Sequence, residues 1–263
     1  MVDILTIGNE ILLGLIEDTN SGYLCRVVRG MGGKVRHIAI VRDEIEAIAA
    51  DLGSSIAGAQ LIFTCGGLGP TDDDVTLAGV AAALGRKLTV DSKARELVER
   101  RYRELASRGY VSHGEMTETR LKMATLPEGA QAIENPLGAA PAVVVQVDNI
   151  HIISLPGVPA EMKAIVEGPL QDLLTTLFGR GSYREREITV GSGDESELAA
   201  VVREVARLHP DVYIKSRASH FGRDVRFRIV ICVSAASAEE ADRIIESVSS
   251  DLSRSLEAAG IKQ

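Results

Sequence analysis

The chain has 263 residues, of which 45% are hydrophobic, and carries a formal net charge of -8 at pH 7. This length can bury a full core and predicts one large and one small domain. The negative charge argues against a general nucleic-acid binder. No signal peptide precedes the first predicted strand, and no apolar run approaches membrane-spanning length. We therefore predict a cytoplasmic protein that makes no membrane contact.

The three cysteines, Cys25, Cys65 and Cys232, are odd in number and far apart in the sequence. They lack the spacing of metal ligands, which argues against both a disulfide framework and a zinc site. Cys65 ends a predicted buried strand, where we expect it to be a small core residue and not a nucleophile.

Strands and helices alternate through the first part of the chain. Apolar and amphipathic patterns predict, in order, a strand at Val2–Ile7, a helix at Asn20–Met31, a strand at Lys34–Val41, a helix at Asp43–Ala57, a strand at Leu61–Phe63 and a helix from Asp74 to Leu84. This order predicts an α/β domain of three layers, with a mostly parallel sheet between helices.

Ligands of such sheets bind at the carboxyl ends of the strands, where two polar segments fall. One is Gly8-Asn9-Glu10, and the other is the loop from Gly66 to Thr76. In that loop, Gly66, Gly67 and Gly69 let the backbone approach a ligand, and the following helix offers N–H groups to an anion. Because the acidic triplet Asp72–Asp74 would repel a bare phosphate, we predict that a divalent cation held by Asp73 or Asp74 bridges the carboxylates and the phosphate.

Two common glycine-loop classes are excluded by the residues. A P-loop needs a lysine after its second glycine, but no lysine lies between Lys34 and Lys87. A dinucleotide fingerprint needs a third glycine where this chain has Asp72. The alternative is that the acidic residues only cap the helix, and we predict that role for Asp72.

The rest of the first domain is less regular. The patterns predict helices at Asp91–Arg108, Glu115–Met123 and Pro159–Phe178, a short strand at Gln131–Ile133, and a hairpin of Ala142–Val147 and Ile150–Ser154 closed by Asp148-Asn149.

A composition break at Gly179–Ser182 predicts a boundary, with domains at residues 1–179 and 180–263. The second domain has a β-α-β-β-α pattern. Its basic residues cluster between Lys215 and Arg228, and alternation along the last strand places Arg226 and Arg228 on a solvent face. A solubility role and a phosphate or nucleic-acid contact both remain open for this face.

Four ordered motifs resemble the CinA (competence/damage-inducible protein A) family. They are the opening Ile7–Gly14 with Asp18-Thr19-Asn20, the loop Gly66–Thr71 with Asp73, Asp74 and Thr76, the segment Asn135–Pro141, and the segment Leu155–Met162. The resemblance covers essentially the whole chain. It implies a MoaB/Mog-like, molybdopterin-binding type domain followed by a smaller KH-type domain, without the nicotinamide mononucleotide deamidase domain of longer members.

The resemblance also implies a function. It implies hydrolysis of a nucleotide pyrophosphate, with ADP-ribose as the expected substrate class, a divalent metal such as Mg²⁺, potassium as an optional second cation, and a homo-oligomer. Two alternatives stay open. One is adenylyl transfer to a molybdopterin or flavin nucleotide, and the other is binding of a nucleotide or pterin without turnover.

Site residues follow from the matched motifs. We predict Asp74 as the main metal ligand and Asp73 as a second ligand or as the base for water. The predicted substrate-binding residues are Gly66, Gly67, Gly69, Pro70, Thr71 and Thr76 in the loop, Asn20 near the start, and Asn135, Gly138, Pro156 and Gly157 on the opposite wall. Glu10 and Glu161 are also candidates, although each also suits a helix cap.

Overall fold

The computed structural model describes residues 1–179, 181–191, 195–218 and 227–262. It divides into two compact units, one formed by Met1–Val28 with Lys34–Thr176 and the other by Arg29–Gly33 with Leu177–Gln263. The second unit begins three residues before the predicted boundary of 180. It also takes in residues 29–33, which no sequence pattern indicated.

A six-stranded sheet forms the centre of the first unit. Its strands are β1 (Val2–Ile7), β2 (Val35–Val41), β3 (Leu61–Cys65), β6 (Gln131–Ile133), β7 (Ala142–Val147) and β8 (Ile150–Leu155). The order is β2-β1-β3-β8-β7-β6, in which β2, β1, β3 and β8 are parallel and β7 runs antiparallel to both neighbours. Two short strands, β4 (Leu88–Val90) and β5 (Thr125–Pro127), pair separately. The sequence patterns missed both.

Eight helices complete the described part of this region. They are α1 (Asn9–Leu12), α2 (Thr19–Gly30), α3 (Ile45–Ile56), α4 (Thr76–Leu84), α5 (Ser92–Ser107), α6 (Glu118–Lys122), α7 (Pro159–Glu167) and α8 (Gln171–Phe178). The single helix predicted at Pro159–Phe178 is wrong. Gly168 leaves the helical region at φ −120° and ψ −104°, and Pro169 follows it, so the helix stops and restarts.

β1 is buried throughout because helices cover both faces of the sheet. Leu5 and Ile7 point into a core cluster with residues of α3, α4 and α5. On the other face, the Thr6 hydroxyl lies 2.8 Å from that of Ser21 on α2. Alternation along one strand therefore produces the three layers that the sequence predicted.

The carboxyl ends of the parallel strands meet at one edge. The N–H of Gly8, after β1, donates to the carbonyl of Val41 at the end of β2 (3.1 Å). The N–H of Gly66, after β3, donates to the carbonyl of Leu155 at the end of β8 (3.0 Å). These bonds hold the loops that follow each strand side by side.

The second unit has the predicted β-α-β-β-α order. Its elements are β9 (Ser182–Val190), α9 (Glu195–Leu208), β10 (Tyr213–Ala218), β11 (Phe227–Ala235) and α10 (Ala238–Ala258), and the strands form an antiparallel sheet in the order β10-β11-β9. Phe227 and Ile229 are buried, whereas Arg228 is exposed and lies 3.6 Å from Glu187. Arg226 lies outside the described residues. The segment 29–33 joins this unit through Arg29, which lies 3.1 Å from Glu185 and over the ring of Tyr183.

Across the described residues, no helix combines the length and the apolar character needed to cross a bilayer.

Candidate functional site

A cavity of about 580 Å³ opens at the carboxyl edge of the parallel strands. Most of the predicted site residues line it, namely Glu10, Asn20, Gly66, Gly67, Gly69, Pro70, Asp73, Asp74, Pro156, Gly157 and Glu161. Four predicted residues do not: Thr71, Thr76, Asn135 and Gly138. Each of these four contacts a residue that does line the cavity.

The glycine loop forms the floor of the cavity. Gly66 has φ +107°, and a Cβ there would lie 2.2 Å from the carbonyl oxygen of Ile7. Gly67 has φ +65°, and its Cβ would lie 2.2 Å from the hydroxyl of Thr76. That hydroxyl donates to the carbonyl of Gly66 (2.8 Å) from a fully buried position. Only glycine fits these two positions, and Thr76 fixes the loop from below.

The acidic triplet lies in a turn of its own before α4. The helix begins at Thr76 and its N-cap is Val75, with no capping hydrogen bond from a side chain. The prediction that Asp72 caps this helix is therefore wrong. In the first turn of α4, Leu77 and Ala78 line a neighbouring cavity of about 310 Å³, and no residue of that turn lines the main one.

Thr71 joins the carboxylates of Asp73 and Asp74. Its hydroxyl lies 2.5 Å from Asp73 Oδ1 and 2.6 Å from Asp74 Oδ2, and its N–H donates to the same oxygen of Asp74 (2.9 Å). The hydrogen bond from Thr71 holds the pKa of Asp73 below its usual value. Because one hydroxyl carries one proton, it can donate to only one of the two carboxylates at a time.

Carboxylates dominate the cavity wall. Seven line it, and no lysine, arginine or histidine stands among the described residues that do. They are Glu10, Glu17, Asp18, Asp43, Asp73, Asp74 and Glu161. Burial raises the pKa of Asp43, and the nearby charges of Glu10, Asp73 and Asp74 raise it further. The cavity is therefore strongly negative and favours cations.

The donor set fits a hard divalent cation only in part. Among the described residues, no three His, Cys, Asp or Glu side chains are grouped closely enough to hold a metal ion. Asp73 and Asp74 supply two carboxylates on one turn. Mg²⁺ is commonly bound in this way, through one or two carboxylates, with ligand phosphates and water completing its shell.

Asn20 leaves a polar atom without a partner at the cavity. The residue is 7% exposed, and its side-chain amide donates to the carbonyl of Gly157 (2.7 Å) and to the sulfur of Cys65 (3.2 Å). Its Oδ1 has no hydrogen-bond partner among the described residues. Burial raises the pKa of Cys65 to about 12, so its thiol stays protonated at neutral pH.

Asn135 supports the wall of the cavity opposite the glycine loop without lining the cavity itself. Its Oδ1 accepts from the N–H groups of Leu137 and Gly138, and its amide donates to Ala140 and to Glu161 Oε2 (2.8 Å). With both amide atoms engaged, Asn135 positions Glu161 and does not face the ligand space. Glu161 lies in the first turn of α7, but the N-cap there is Val158.

Several residues that line the cavity were not predicted as site residues, and Asp43 and Tyr102 are two of them. Asp43 follows β2 just as Glu10 follows β1, so its position at a strand's carboxyl end was a usable signal. Tyr102 comes from α5, whose charged pattern predicts only a solvated face. No sequence signal pointed to it.

Comparison with known proteins agrees with this architecture. Residues 3–176 match the family model described as "Probable molybdopterin binding domain". The chain belongs to this molybdopterin-binding domain family. The predicted fold class, an α/β domain of the molybdopterin-binding type with a mostly parallel sheet, is confirmed.

Relatives extend the likeness over both units. A protein of Aeropyrum pernix is 41% identical over 240 residues, which cover 90% of this chain and 87% of the relative. A protein of Thermococcus kodakarensis is 40% identical over 222 residues, covering 84% of this chain and 86% of the relative. The crystal structure of CinA from Thermoplasma acidophilum, whose function is given as unknown, matches with 32% identity and a TM-score of 0.60, covering 66% of this chain and 98% of that one. The molybdopterin-binding domain is therefore CinA-like.

Proposed function

We propose that this protein is a member of the CinA family that hydrolyses a nucleotide pyrophosphate of the ADP-ribose class with the help of a divalent metal ion. The observation that carries the proposal is the charge of the cavity: seven carboxylates and no basic side chain among its described lining residues. A phosphate ester entering such a cavity is repelled unless cations accompany it. A pocket that only bound a phosphorylated ligand would gain more from arginine or lysine.

Asp73 and Asp74 would hold the metal ion. Both carboxylates lie on one turn, and the Thr71 hydroxyl can hold Asp73 while the Thr71 N–H holds Asp74, so they present a fixed pair of carboxylates to a cation. A metal ion bound there would neutralise phosphate charge and polarise a P–O bond. The lowered pKa of Asp73 keeps it ionised at neutral pH, which suits a ligand better than a proton acceptor.

The chain's own groups would position the substrate. The glycine loop brings backbone close to the phosphates, because Gly66 and Gly67 allow the positive-φ turn in which the main chain lines the cavity. In the reaction, a water oxygen bonds to one phosphorus and the bridging P–O bond breaks, which leaves two phosphate monoesters. The water's proton passes to a carboxylate of the cavity wall or to solvent.

Molybdopterin or flavin nucleotide adenylyl transfer is the second candidate. The family description names molybdopterin binding, which supports a pterin as ligand in the same cavity. The buried Oδ1 of Asn20, which has no partner in the part of the chain that the structure describes, is a hydrogen-bond acceptor for a donor of either ligand.

The deciding experiment incubates the full chain with ADP-ribose, FAD or ATP over Mg²⁺, Mn²⁺ or no metal, with products resolved by chromatography. We expect AMP and ribose 5-phosphate from ADP-ribose, only with metal. Adenylyl transfer from ATP to an added molybdopterin, without hydrolysis of ADP-ribose, would support the second candidate. Tight binding of a nucleotide without product from any mixture would support the alternative of a binding protein without turnover.

A further inference from the structure

We infer that Tyr102 is the platform on which the base of the nucleotide stacks. This inference rests on the proposed function, whose substrate it deepens to a ligand that carries a planar base. Tyr102 is the aromatic residue among the described residues that line the main cavity. Neither the matched sequence motifs nor the acidic loop involves this residue.

The cavity has an apolar wall beside its acidic loop. Leu68, Met123 and Ala140 line the cavity and also belong to the core cluster of the first unit, and Tyr102 packs partly buried against that cluster. Ala139 adds a second small side chain to this wall. A wall of this kind accepts a flat apolar group, whereas the carboxylates at Asp73 and Asp74 suit a cation-bound phosphate. One cavity thus offers the two environments that the two parts of a nucleotide require.

The Tyr102 ring is held in place from outside the cavity. The guanidinium of Arg120 lies over the ring, 3.8 Å from its centroid, and donates to the carbonyls of His113 (2.9 Å) and Glu115 (2.5 Å). Arg120 covers one face of the ring and does not itself line the cavity, so a base would stack on the other face. The ring is therefore ordered before a ligand arrives, which reduces the entropy cost of stacking.

Stacking is the contact that this position can offer to a base. Base–aromatic stacking is tolerant of base identity because every base has a π-face. We therefore expect Tyr102 to select for a base of any kind over a ligand without one, while hydrogen bonds elsewhere choose among the bases.

The test measures binding apart from turnover. Calorimetric titration of the full chain with Mg²⁺ uses ADP-ribose and pyrophosphate in their methylene-bridged forms, which cannot be hydrolysed, and compares a ligand that has a base with one that lacks it. Tyr102→Leu should raise the Kd for ADP-ribose about tenfold or more and leave the Kd for pyrophosphate within about twofold. Tyr102→Phe keeps the ring and should bind both ligands as the native chain does. Tyr110→Leu, which changes an exposed tyrosine outside the cavity, is the matched control.

Tyrosine fluorescence gives a readout that does not depend on the leucine variant folding. The chain has five tyrosines and no tryptophan, so tyrosine emission is observed directly. Adenosine should quench part of this emission in the native chain, and the quench should disappear in Tyr102→Phe.

Three results would overturn the inference: native binding of ADP-ribose by Tyr102→Leu, an equal loss of pyrophosphate binding in that variant, or a native chain that binds no nucleotide at all. If Tyr102→Leu weakens ADP-ribose binding selectively but the native chain hydrolyses nothing, the proposed hydrolysis fails and the stacking role stands.

Discussion

At the scale of single residues, substitution of Asp74 tests whether this carboxylate acts in catalysis or only stabilises the fold. Asp74→Asn keeps an oxygen to accept from Thr71 but removes the charge that a metal ion needs. We expect kcat/KM for ADP-ribose to fall at least about a hundredfold, with the free energy of unfolding within about 1 kcal/mol of the native value.

Asp72→Asn is the matched control for this change. Asp72 is exposed and does not line the cavity, and it makes no capping bond to α4. Its substitution should leave kcat/KM within about twofold of native. A comparable loss of kcat/KM in both variants would mean that the total charge of the loop matters and that Asp74 is not a specific metal ligand.

Asp3 links the stability of the first unit to pH. It is fully buried on β1; burial raises its pKa, but hydrogen bonds from Arg36 (2.6 and 3.0 Å) and Ser55, with the charge of Arg36, lower it by more. Because the pKa of Asp3 is lower in the folded chain, the ionised carboxylate stabilises the fold above the unfolded-state pKa of about 4. This stabilisation is lost as pH falls through the folded-state pKa.

Urea denaturation should show this effect in Asp3→Asn. At pH 7 the variant should lose about 1–3 kcal/mol of unfolding free energy, because Arg36 loses its charged partner. The loss should shrink as pH falls below about 4, because the carboxylate is protonated first in the unfolded chain and, at still lower pH, in the folded chain as well. A constant difference between pH 7 and about pH 2 would contradict the assignment.

At the scale of elements, the glycine loop offers a test in which backbone strain is matched. Gly67 and Gly85 have nearly equal φ, +65° and +61°, but a Cβ meets Thr76 at 2.2 Å in the first case and open space in the second. Gly85→Ala should cost about 1–2 kcal/mol of stability from the left-handed conformation alone. Gly67→Ala should cost more and weaken ADP-ribose binding, measured by thermal denaturation and calorimetry.

Equal costs for the two variants would show that the contact with Thr76 relaxes easily. The loop would then owe its shape to backbone conformation alone.

Apolar patterns predicted the parallel core, because buried strands such as Val2–Ile7 and Leu61–Cys65 are mostly apolar on both faces. The hairpin at Asp148 was confirmed too, and Asp148 has φ +50° there. The strands Leu88–Val90 and Thr125–Pro127 were missed because three residues are too few to show a period.

The candidate site was predictable where motif residues face the ligand space themselves, as Gly66 and Asp74 do. Thr76 and Asn135 lie behind the ligand space. The sequence could not show this, because spacing does not distinguish a residue that lines a cavity from one that supports its wall. Tyr102 could not be found at all, because its place in the cavity depends on how α5 packs against the core.

At the scale of the whole molecule, metal and nucleotide should stabilise the chain only together. No cluster of three or more metal-ligating side chains exists among the described residues, so Mg²⁺ alone lacks a complete shell. We expect Mg²⁺ alone to shift Tm by less than about 1 °C, and Mg²⁺ with ADP-ribose to raise it by several degrees. ADP-ribose with a chelator should have no effect, whereas a large shift from Mg²⁺ alone would reveal a preformed metal site.

The short excursion of residues 29–33 into the second unit affects how the protein can be divided. The polypeptide passes from one unit to the other after Val28, back after Gly33, and across again after Thr176. No single cut therefore yields both units as uninterrupted fragments. A fragment ending at Thr176 would carry Arg29 without Glu185 and Tyr183, its partners in the second unit. Expression of the first unit alone therefore calls for a replacement of residues 29–33 by a short polar turn, in addition to removal of the tail.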